Sequence, residues 1–519
     1  MSKKDPTSPA TTSCAYDLMA PRWRVIETLL AGTEAMREAG EEFTPKHEAE
    51  LQDNYDFRLS QSVLLNMVEE TLEQLSGKPF TEPVKVGDDV PVAIKGADDE
   101  DGRGGILYDI DLQGNNLDVF CQAWFREGLA KAFCHVLVDM PRPEPRPDNA
   151  PRTLADDRRE GMRPYWNLVK PECVIFARAE VIEGVETLMH VRILESYTVQ
   201  DGFAEVEKCR IRVLEPGTVT LYEPHPTKKK DGKPVWIKVD EWGTGLTYIP
   251  LVTFYADRQG FMIGKPPLLD LAWLNVAHWN STSDQRNILR VARFPMLACS
   301  GASEEDSDPV VIGPHKILYN EDPQGKFYYV EHTGSAIEQG RKDLEDLEKQ
   351  MSMYGQQFLR QKPGNETATG KAIDSAENNS DLAAMAGLFE DAVAQALDIT
   401  AEWMRILEEG GSISVVKNFN KAEDDAEGFR AVQQARDKRD LSRYTLIEAM
   451  KQRGYLPKDF DQELDQERLL EEQDAALARA GFDLDPLGNP RKPAVDDDGN
   501  PIPPGQNQPP GNPNPEDEQ

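Results

Sequence analysis

The sequence predicts an α+β protein whose β-rich and helical stretches occupy different parts of the chain. Residues 164–256 contain short runs of β-branched and aromatic residues, separated by turn signals such as Asp201-Gly202. Residues 266–407 instead carry apolar residues at helical spacing over three long segments. Segregated patterns of this kind are typical of the α+β class.

An acidic composition limits the kinds of partner. The chain has 519 residues, enough for about two to four domains, and 39% hydrophobic residues, enough for a substantial core. Its formal net charge is −34, and the tail from Asp483 onward supplies little of it, with eight acidic and two basic residues. An acidic body argues against a conventional DNA-binding surface, because phosphates are neutralised by clustered Lys and Arg. DNA that passes close by without binding tightly remains compatible with the composition.

Cysteine usage and hydropathy indicate the compartment. Six cysteines are scattered without a CxxC pair, which predicts free thiols in a reducing environment rather than a disulfide framework or a zinc cluster. Residues 1–13 lack an apolar core, so no secretory signal is predicted. No run approaches about 18 apolar residues, so no membrane-spanning helix is predicted.

The N-terminal part is predicted to be mainly helical. Residues 1–20 are expected to be disordered, and a helical region follows over residues 21–77, ending at a glycine. A further helix is predicted over about residues 117–131, leading into an apolar strand at 134–140. Residues 141–161 form a charged connector.

The meander is predicted to contain five or six antiparallel strands. They correspond to the β-rich runs VIFARAEV, LMHVRILE, CRIRVLE, VTLYEP, VWIKVDEW and IPLVTFYA.

Three long helices are predicted at residues 266–293, 335–359 and 380–407. The second carries a narrow apolar stripe of period 3.5, formed by Ile337, Leu344, Leu347, Met351, Tyr354 and Phe358. A stripe this narrow can pack against only one or two neighbours, so the rest of the helix faces water. Copies of the chain arranged in a ring would supply neighbours for such helices. An ordinary helical bundle within one chain is the alternative.

The segments around these helices are shorter or more polar. The insert at 294–334 contains strand-like runs, and residues 360–370 form a polar loop. One more strand is predicted at 412–419, followed by charged helices at 425–480. The proline-rich tail from residue 481 is predicted to be disordered.

No catalytic motif is found in the sequence. GNETATGK at 364–371 has five residues between its glycines where a P-loop has four, and Ala372 stands where that motif places Ser or Thr. A charged helix precedes it instead of a strand. The seven histidines form no metal-binding spacing. We therefore predict no enzyme activity, no cofactor and no metal.

Two blocks carry a family resemblance. PPLLDLAWLNVAHWNSTSDQRNILRVARFPMLACSG (266–301) and ETATGKAIDSAENNSDLAAMAGLFEDA (366–392) resemble the tailed-bacteriophage portal proteins of the group built around a domain of formerly unknown function. RPYWNLVKPECVIFARAE (163–180), LMHVRILE (188–195) and SRYTLIEAMKQRGYLPKDFD (442–461) agree less specifically. The resemblance covers about residues 20–475.

The resemblance implies an architecture. Portal proteins form a ring, usually a dodecamer, with a wing, a stem, a clip, a tunnel loop and a crown. Carried over by order, the parts are a wing of helices and β-meander (21–265), stem helices (266–293 and 335–359), a β-rich clip (294–334), a tunnel loop (360–370), a long helix with a strand returning to the wing (371–419), a helical crown (420–480) and a disordered tail (481–519).

The resemblance also implies a role and partners. The ring would occupy one capsid vertex of the virion, with assembly in the host cytoplasm. Double-stranded DNA would pass through its channel during packaging and ejection. Partners would be the terminase, the major capsid protein and scaffold, and the head-completion adaptor or tail proteins, without a membrane. A different ring-forming head–tail connector is the alternative, and a nucleotide-using packaging enzyme is disfavoured by the defective GNETATGK.

Candidate site residues follow from this implied architecture. The stripe on 335–359 would pack between subunits in the stem. The tunnel loop and its flank would contact DNA through Arg360, Gln361, Lys362, Pro363, Gly364, Asn365, Glu366, Thr367, Gly370 and Lys371. Arg360, Lys362 and Lys371 would touch phosphates transiently, and the glycines would let the loop shift. Solvated charges at helix ends are the alternative for the three basic residues.

Overall fold

The architecture combines helices with several antiparallel sheets. The computed structural model describes residues 5–96, 105–142, 156, 160–230, 233–293, 296–300, 324, 326–330, 334–357, 380–417, 419, 442–452, 456, 460–461, 464–466 and 468–469. The chain divides into two compact units, Met1–Phe419 and Asn420–Gln519. The predicted tail at 481–519 and the predicted loop at 360–370 lie outside the described residues.

The α-helices of the described residues are α1 (Cys14–Leu30), α2 (Gly32–Ala39), α3 (Gln52–Gln61), α4 (Met67–Gly77), α5 (Val92–Lys95), α6 (Leu117–Lys131), α7 (Leu269–Ala292), α8 (Ser335–Gln357), α9 (Asp381–Trp403) and α10 (Arg443–Gln452). Short 3-10 turns lie at Gly40–Glu42, Lys78–Phe80, Ile106–Tyr108 and Pro171–Cys173.

The strands are β1 (Lys85–Val86), β2 (Phe133–Asp139), β3 (Tyr165–Val169), β4 (Val174–Ile182), β5 (Val185–Asp201), β6 (Ala204–Glu215), β7 (Thr218–Lys230), β8 (Lys233–Gly243), β9 (Leu251–Tyr255), β10 (Arg258–Gly260), β11 (Ile263–Gly264), β12 (Met296–Ser300), β13 (Lys326–Val330) and β14 (Ile413–Ser414).

Helix α1 begins earlier than expected. Disorder was predicted through residue 20, whereas α1 starts at Cys14 and residues 5–13 form turns. The Ser13 hydroxyl accepts a hydrogen bond from the backbone N–H of Tyr16, 3.0 Å away, which caps the helix. The Ser13 N–H itself donates to the Ile175 carbonyl at the start of β4, 3.0 Å away. Met19 is fully buried, so this segment belongs to the folded core.

The predicted meander is confirmed for five strands. They form one antiparallel sheet in the order β4-β5-β6-β7-β8. The sixth run, IPLVTFYA, which the prediction of five or six strands left open, lies outside this sheet: it forms β9, which pairs with β2 in a three-stranded sheet of order β3-β2-β9. Alternation of apolar residues identifies a strand but does not identify its partner. Val252 and Phe254 of β9 instead pack in the main core.

Helices α6 and α9 cover this three-stranded sheet. The ring of Phe389 on α9 has its centroid 5.1 Å from Phe254, 5.3 Å from Trp124, 5.4 Å from Phe125 and 6.0 Å from Phe80. Burial of each large aromatic side chain is worth about 2 kcal/mol. This aromatic cluster therefore fixes α9 as a core helix.

The sequence explains the bounds of α6. The Asn116 side chain accepts a hydrogen bond from the N–H of Val119, 3.0 Å away, at its start. The chain leaves the helix at Ala132, whose φ is +78°. Within the helix, a Cβ atom on Gly128 would lie 2.4 Å from the Phe254 ring, so only glycine permits this close approach to β9.

Helices α7 and α8 form a long antiparallel hairpin. Their far ends continue into β12 and β13, which pair from Met296↔Val330 to Ser300↔Lys326. The two predicted long helices are thus confirmed, and the strand-like run at 325–332 contains β13. The other predicted run of the insert, at 310–319, lies outside the described residues. Among the described residues of the strand predicted at 412–419, Ile413–Ser414 form a strand, which pairs with β1.

The second unit is described only in part. Helix α10 agrees with the helical prediction for this region, and its Ile447 is 7% exposed. The rest of the predicted helical segment at 425–480 lies largely outside the described residues. The division into wing, stem, clip and crown remains a prediction.

Candidate functional site

The α7–α8 hairpin is held together by polar contacts along its whole length. Four side-chain contacts cross the seam: Tyr354 to Asp270 (3.3 Å), His278 to Glu348 (3.4 Å), Ser281 to Asp343 (3.3 Å) and the Gln285 amide to the Ile337 carbonyl (2.8 Å). Positions later in α7 contact positions earlier in α8, so the two helices keep one antiparallel register across these four contacts. With 23 residues, α8 is roughly 35 Å long.

The apolar stripe on α8 faces its own chain at one end. Met351 is fully buried in the main core, so its expected packing between subunits is corrected: this side chain packs within the subunit. Tyr354 is half-buried, and its hydroxyl bonds to Asp270. Burial and the Asp270 carboxylate raise the pKa of Tyr354 to about 12.

The rest of the stripe is less deeply buried. Ile337, Leu344 and Leu347 are half-buried, so part of each side chain remains accessible. Phe358 lies outside the described residues. Packing of these four side chains between subunits stays a prediction.

The remaining surface of α8 is polar and exposed. The helix carries five acidic and three basic residues, and all eight are exposed. Arg341 pairs with Glu338 at 2.7 Å and also with Glu345 on the same helix. Exposed pairs of this kind contribute little stability. Beyond the seam with α7, α8 contacts α4 near its C-terminal end. A long water-facing flank therefore remains.

Two large apolar side chains of the hairpin are exposed to solvent. Trp273 on α7 is 52% exposed, and Met353 on α8 is 59% exposed. The Tyr354–Asp270 contact places them at similar levels of the seam. Neither residue was among the predicted site residues, because helical spacing alone does not show which apolar side chains stay exposed. Exposed side chains of this size are suited to contact with another molecule.

Helix α7 is anchored in the subunit by Asn275. This side chain is fully buried, and its oxygen accepts the N–H groups of Met67 (3.0 Å) and Val68 (3.2 Å). Its amide donates to the Leu65 carbonyl, 2.8 Å away. Asn275 thus satisfies donors at the start of α4 that no helical bond could satisfy. In the sequence, an Asn flanked by apolar residues within a predicted helix was the signal that could have identified this contact.

Arg58 adds an ionic tie between α3 and α7. Its guanidinium bonds to the Glu50 carboxylate at 2.9 Å and to Asp284 at 3.4 Å. The side chains of Arg58 and Glu50 are 3% and 9% exposed. The hydrogen bond from Arg58 lowers the pKa of Glu50. The first half of the hairpin is therefore rigidly fixed to the N-terminal helices.

Helix α9 contributes no open surface comparable to that of α8. Ser380 caps its start, with the hydroxyl accepting the Ala383 N–H at 3.2 Å. Its apolar face is buried in the main core, whereas Leu388 on the opposite side of the helix is 51% exposed. The loop before it contains every residue proposed to contact DNA. Those residues, from Arg360 to Lys371, lie outside the described residues, so their placement stays a prediction.

Three further features of the described residues bear on metal binding, membrane insertion and proton transfer. In the part of the chain that the structure describes, no three His, Cys, Asp or Glu side chains are grouped as metal ligands would be. No helix among those residues is both long and apolar enough to cross a bilayer. His135 is fully buried, and burial lowers its pKa to about 3, so it is a neutral core residue.

One comparison with known proteins falls on this region, and two others extend over most of the chain. Residues 267–404, which include α7, α8 and α9, match the sequence profile of a domain of unknown function (DUF4055). No curated protein matches the chain. A chain from the neck of an empty gene transfer agent particle is similar, with 11% identity and a TM-score of 0.36, covering 75% of this chain and 89% of that one. A chain from the virion of a native gene transfer agent particle has 10% identity and a TM-score of 0.35, covering 82% and 99%. Similarities this weak carry no argument about architecture or role.

Proposed function

We propose that this chain is a phage portal protein, whose copies form a ring around a channel for double-stranded DNA at one capsid vertex. The observation that carries the proposal is the α7–α8 hairpin. One side of it is packed within the chain, while the other side of α8 stays polar and exposed. The resemblance of residues 266–301 to portal stems falls on this same hairpin.

The energetics of the hairpin favour a ring. A helix gains most of its stability from packing an apolar face, and α8 has little apolar face outside the seam. Lateral contacts with the hairpins of neighbouring copies would cover Trp273, Met353 and the half-buried residues of the stripe. The charged flank would then line a water-filled lumen. A heterologous contact that repeats around a closed rotation produces a ring of this kind.

A channel for DNA must not hold the duplex tightly. Several simultaneous Lys or Arg contacts to phosphates would give strong, salt-dependent binding. The chain's net charge of −34 provides repulsion instead, acting over about 10 Å at 0.1 M salt. In this proposal Arg360, Lys362 and Lys371 make the transient phosphate contacts, with Gly364 and Gly370 as flexible positions.

The partners of the ring follow from the same proposal. GNETATGK lacks the P-loop pattern, so a separate terminase would supply the energy for packaging. The terminase and the head-completion adaptor would dock at the β12–β13 end of the hairpin. The capsid protein and scaffold would contact the N-terminal part of the chain.

Images of the purified protein test the proposal. We expect end-on particles with roughly twelve chains and a central hole in negative stain. In capsids produced with the other head proteins, a gold-labelled N-terminal tag should mark one vertex. Discrete monomers under all assembly conditions, together with unlabelled capsids, would overturn the portal assignment. Label that appears only after the head is complete would favour a head–tail adaptor.

A further inference from the structure

The loop that joins α3 to α4 presents two apolar side chains to solvent. We call residues 62–66 the α3–α4 loop. Val63 is 47% exposed and Leu65 is 42% exposed, whereas Leu64 between them packs against the main core. This alternation is that of an extended segment with one face buried. The loop therefore holds an apolar pair outward at fixed positions.

Hydrogen bonds at both ends hold the α3–α4 loop in place. The Arg37 guanidinium donates to the Ser62 carbonyl, 2.8 Å away, and the Asn275 amide donates to the Leu65 carbonyl, also 2.8 Å away. Arg286 on α7 donates to the carbonyl just before the loop, 3.3 Å away. Two guanidinium groups, which stay charged in proteins, thus flank the apolar pair. A loop that is already ordered loses little conformational entropy when it binds.

A pocket of about 400 Å³ opens where α7, α8 and α9 meet. We call it the three-helix pocket. Leu388 in its wall is 51% exposed, so the pocket is open to solvent. Its apolar lining comes from the residues before α7, the end of α8 and the first half of α9, namely Pro267, Tyr354, Ala384, Met385 and Leu388.

The rim of the three-helix pocket is acidic. Asp257 and Asp381 line it together with one lysine, Lys265. Asp270 lies at its edge, where it bonds to Lys265 at 2.7 Å and to the Tyr354 hydroxyl at 3.3 Å. Three carboxylates therefore surround a single ammonium group. An apolar pocket with an acidic rim is complementary to an apolar pair flanked by two arginines.

The loop and the pocket lie at the same level of the hairpin but on different sides of α7. Asn275 bonds to the loop and Asp270 borders the pocket, so the two contacts are about 8 Å apart along the helix axis. The exposed Trp273 follows Asp270 by one turn, whereas Trp273 and Asn275 point about 160° apart around the helix. The loop of one chain therefore does not reach the pocket of the same chain.

We propose that the α3–α4 loop of one copy fills the three-helix pocket of the next copy, with Val63 and Leu65 against Met385 and Leu388. The inference rests on the proposed function, because it needs copies related by rotation about an axis along the hairpin. Such a rotation preserves the level of every surface, so two surfaces at one level on different sides of the chain meet in neighbouring copies. DNA does not suit the pocket, since its acidic rim repels phosphates.

Two double variants test this contact at exposed positions. Val63→Asp with Leu65→Asp changes the loop, and Ala384→Asp with Leu388→Asp changes the pocket. Each variant alone lacks one half of every contact, so the protein concentration needed for ring assembly should rise at least tenfold in sedimentation velocity.

An equimolar mixture of the two variants gives a sharper result. The loop variant keeps an intact pocket and the pocket variant keeps an intact loop, so one contact can form between them. The other halves are both altered, so growth should stop at pairs of chains, which mass photometry counts. Pairs in the mixture also demonstrate that both variants are folded.

A matched control carries the same charge elsewhere. Val92→Asp with Val119→Asp alters two valines that are 60% and 52% exposed and lie outside both surfaces, and it should assemble like wild type. Proximity is measured separately with Val63→Cys and Leu388→Cys in one chain. Mild oxidation should link these two cysteines between chains, whereas neither single-cysteine variant should give the same link.

The outcomes separate the contact from the ring. Rings formed by either aspartate variant at wild-type concentrations would overturn the contact while leaving the portal proposal intact. A mixture without pairs would overturn the contact as well. Linked pairs in a preparation without rings would support the contact and count against the portal, and the absence of both would overturn both. A photocrosslink from position 388 to residues 358–379 of the same chain would assign the pocket to that segment instead.

Discussion

The side-chain amide of Gln285 donates a hydrogen bond to the backbone carbonyl of Ile337, 2.8 Å away, and so ties α7 to the first turn of α8. The same amide occupies the space beside Gly340. A Cβ atom at that position would lie 2.2 Å from the Gln285 side-chain oxygen. A glycine inside a helix is thereby explained by a contact across the seam.

Replacement of Gly340 should have different effects in two backgrounds. Gly340→Ala in the wild type should displace the Gln285 amide, and the loss of a hydrogen bond of about 1 kcal/mol should cancel the gain from the better helix former. In a Gln285→Ala background the same change should stabilise by about 0.5–1 kcal/mol, because alanine is the better helix former. A double-mutant cycle by chemical denaturation measures both values. Equal stabilisation in the two backgrounds would contradict the role of the seam contact.

Lys131 should be among the most sensitive core positions. Its ammonium is 3% exposed and meets Glu172 at 2.5 Å, Glu27 at 3.1 Å and Glu127 at 3.2 Å. Burial opposes its charge, but the three carboxylates more than offset this and raise its pKa. Lys131→Met would leave these carboxylates without their buried cation and should cost about 3–5 kcal/mol. Lys170→Met, at an exposed pair, should cost less than about 1 kcal/mol.

The effect of Lys131→Met should shrink as the solution is acidified. Burial, followed by the contact with Glu27, already raises the pKa of Glu172 in the wild type. Without the lysine, the carboxylates take up protons at higher pH in the folded state than in the unfolded state. Unfolding free energies measured between about pH 7 and 5 should therefore converge. A difference that is constant over this range would argue against an electrostatic origin.

His135 should make the fold acid-sensitive. Its Nδ1 lies 2.9 Å from the Thr253 hydroxyl, and burial lowers its pKa to about 3. In the unfolded chain it binds a proton near pH 6.5, so stability is lost as pH falls from about 6.5 toward 3, by up to about 1.4 kcal/mol per pH unit. His135→Asn keeps a polar group for Thr253 and should flatten this slope. A slope in His135→Asn as steep as that of the wild type would contradict this assignment.

The exposed pair on the hairpin should matter for assembly. Trp273→Gln with Met353→Gln should change the unfolding free energy by less than about 1 kcal/mol, because both side chains are half or more exposed. If neighbouring hairpins pack over them, the concentration needed for ring formation should rise at least tenfold. Sedimentation velocity compares this variant with wild type. Unaltered assembly would remove these residues from the interface.

The loop residues should affect DNA and leave the ring intact. Lys362→Glu with Lys371→Glu should leave ring formation unchanged but reduce packaged or retained DNA, because added negative charge repels phosphates. Genome copies per particle measure the effect. Lys362→Arg with Lys371→Arg preserves the charge and should behave like wild type. Full genome content in the glutamate variant would exclude the two lysines from the mechanism.

Local features were predictable from the sequence, whereas partners across the fold were not. The bounds of α6 could be predicted because Asn116 is a local cap and the helical spacing is regular. The run that forms β9 could be recognised as a strand, but its pairing with β2 depends on which surfaces meet. Met351 illustrates the same limit: the stripe was correct, but its period could not distinguish a neighbour in the same chain from one in another copy.

The aromatic cluster around Phe389 means that the stretch matching the domain profile is not a transplantable module. Helix α9 ends that stretch, yet the indole of Trp166 bonds to Thr400 at 2.9 Å and the indole of Trp403 bonds to the Val138 carbonyl at 3.0 Å. Residues 267–404 expressed alone would expose the apolar face of α9, which upstream strands and helices cover in the whole chain. We therefore expect this stretch to need the upstream residues in order to fold.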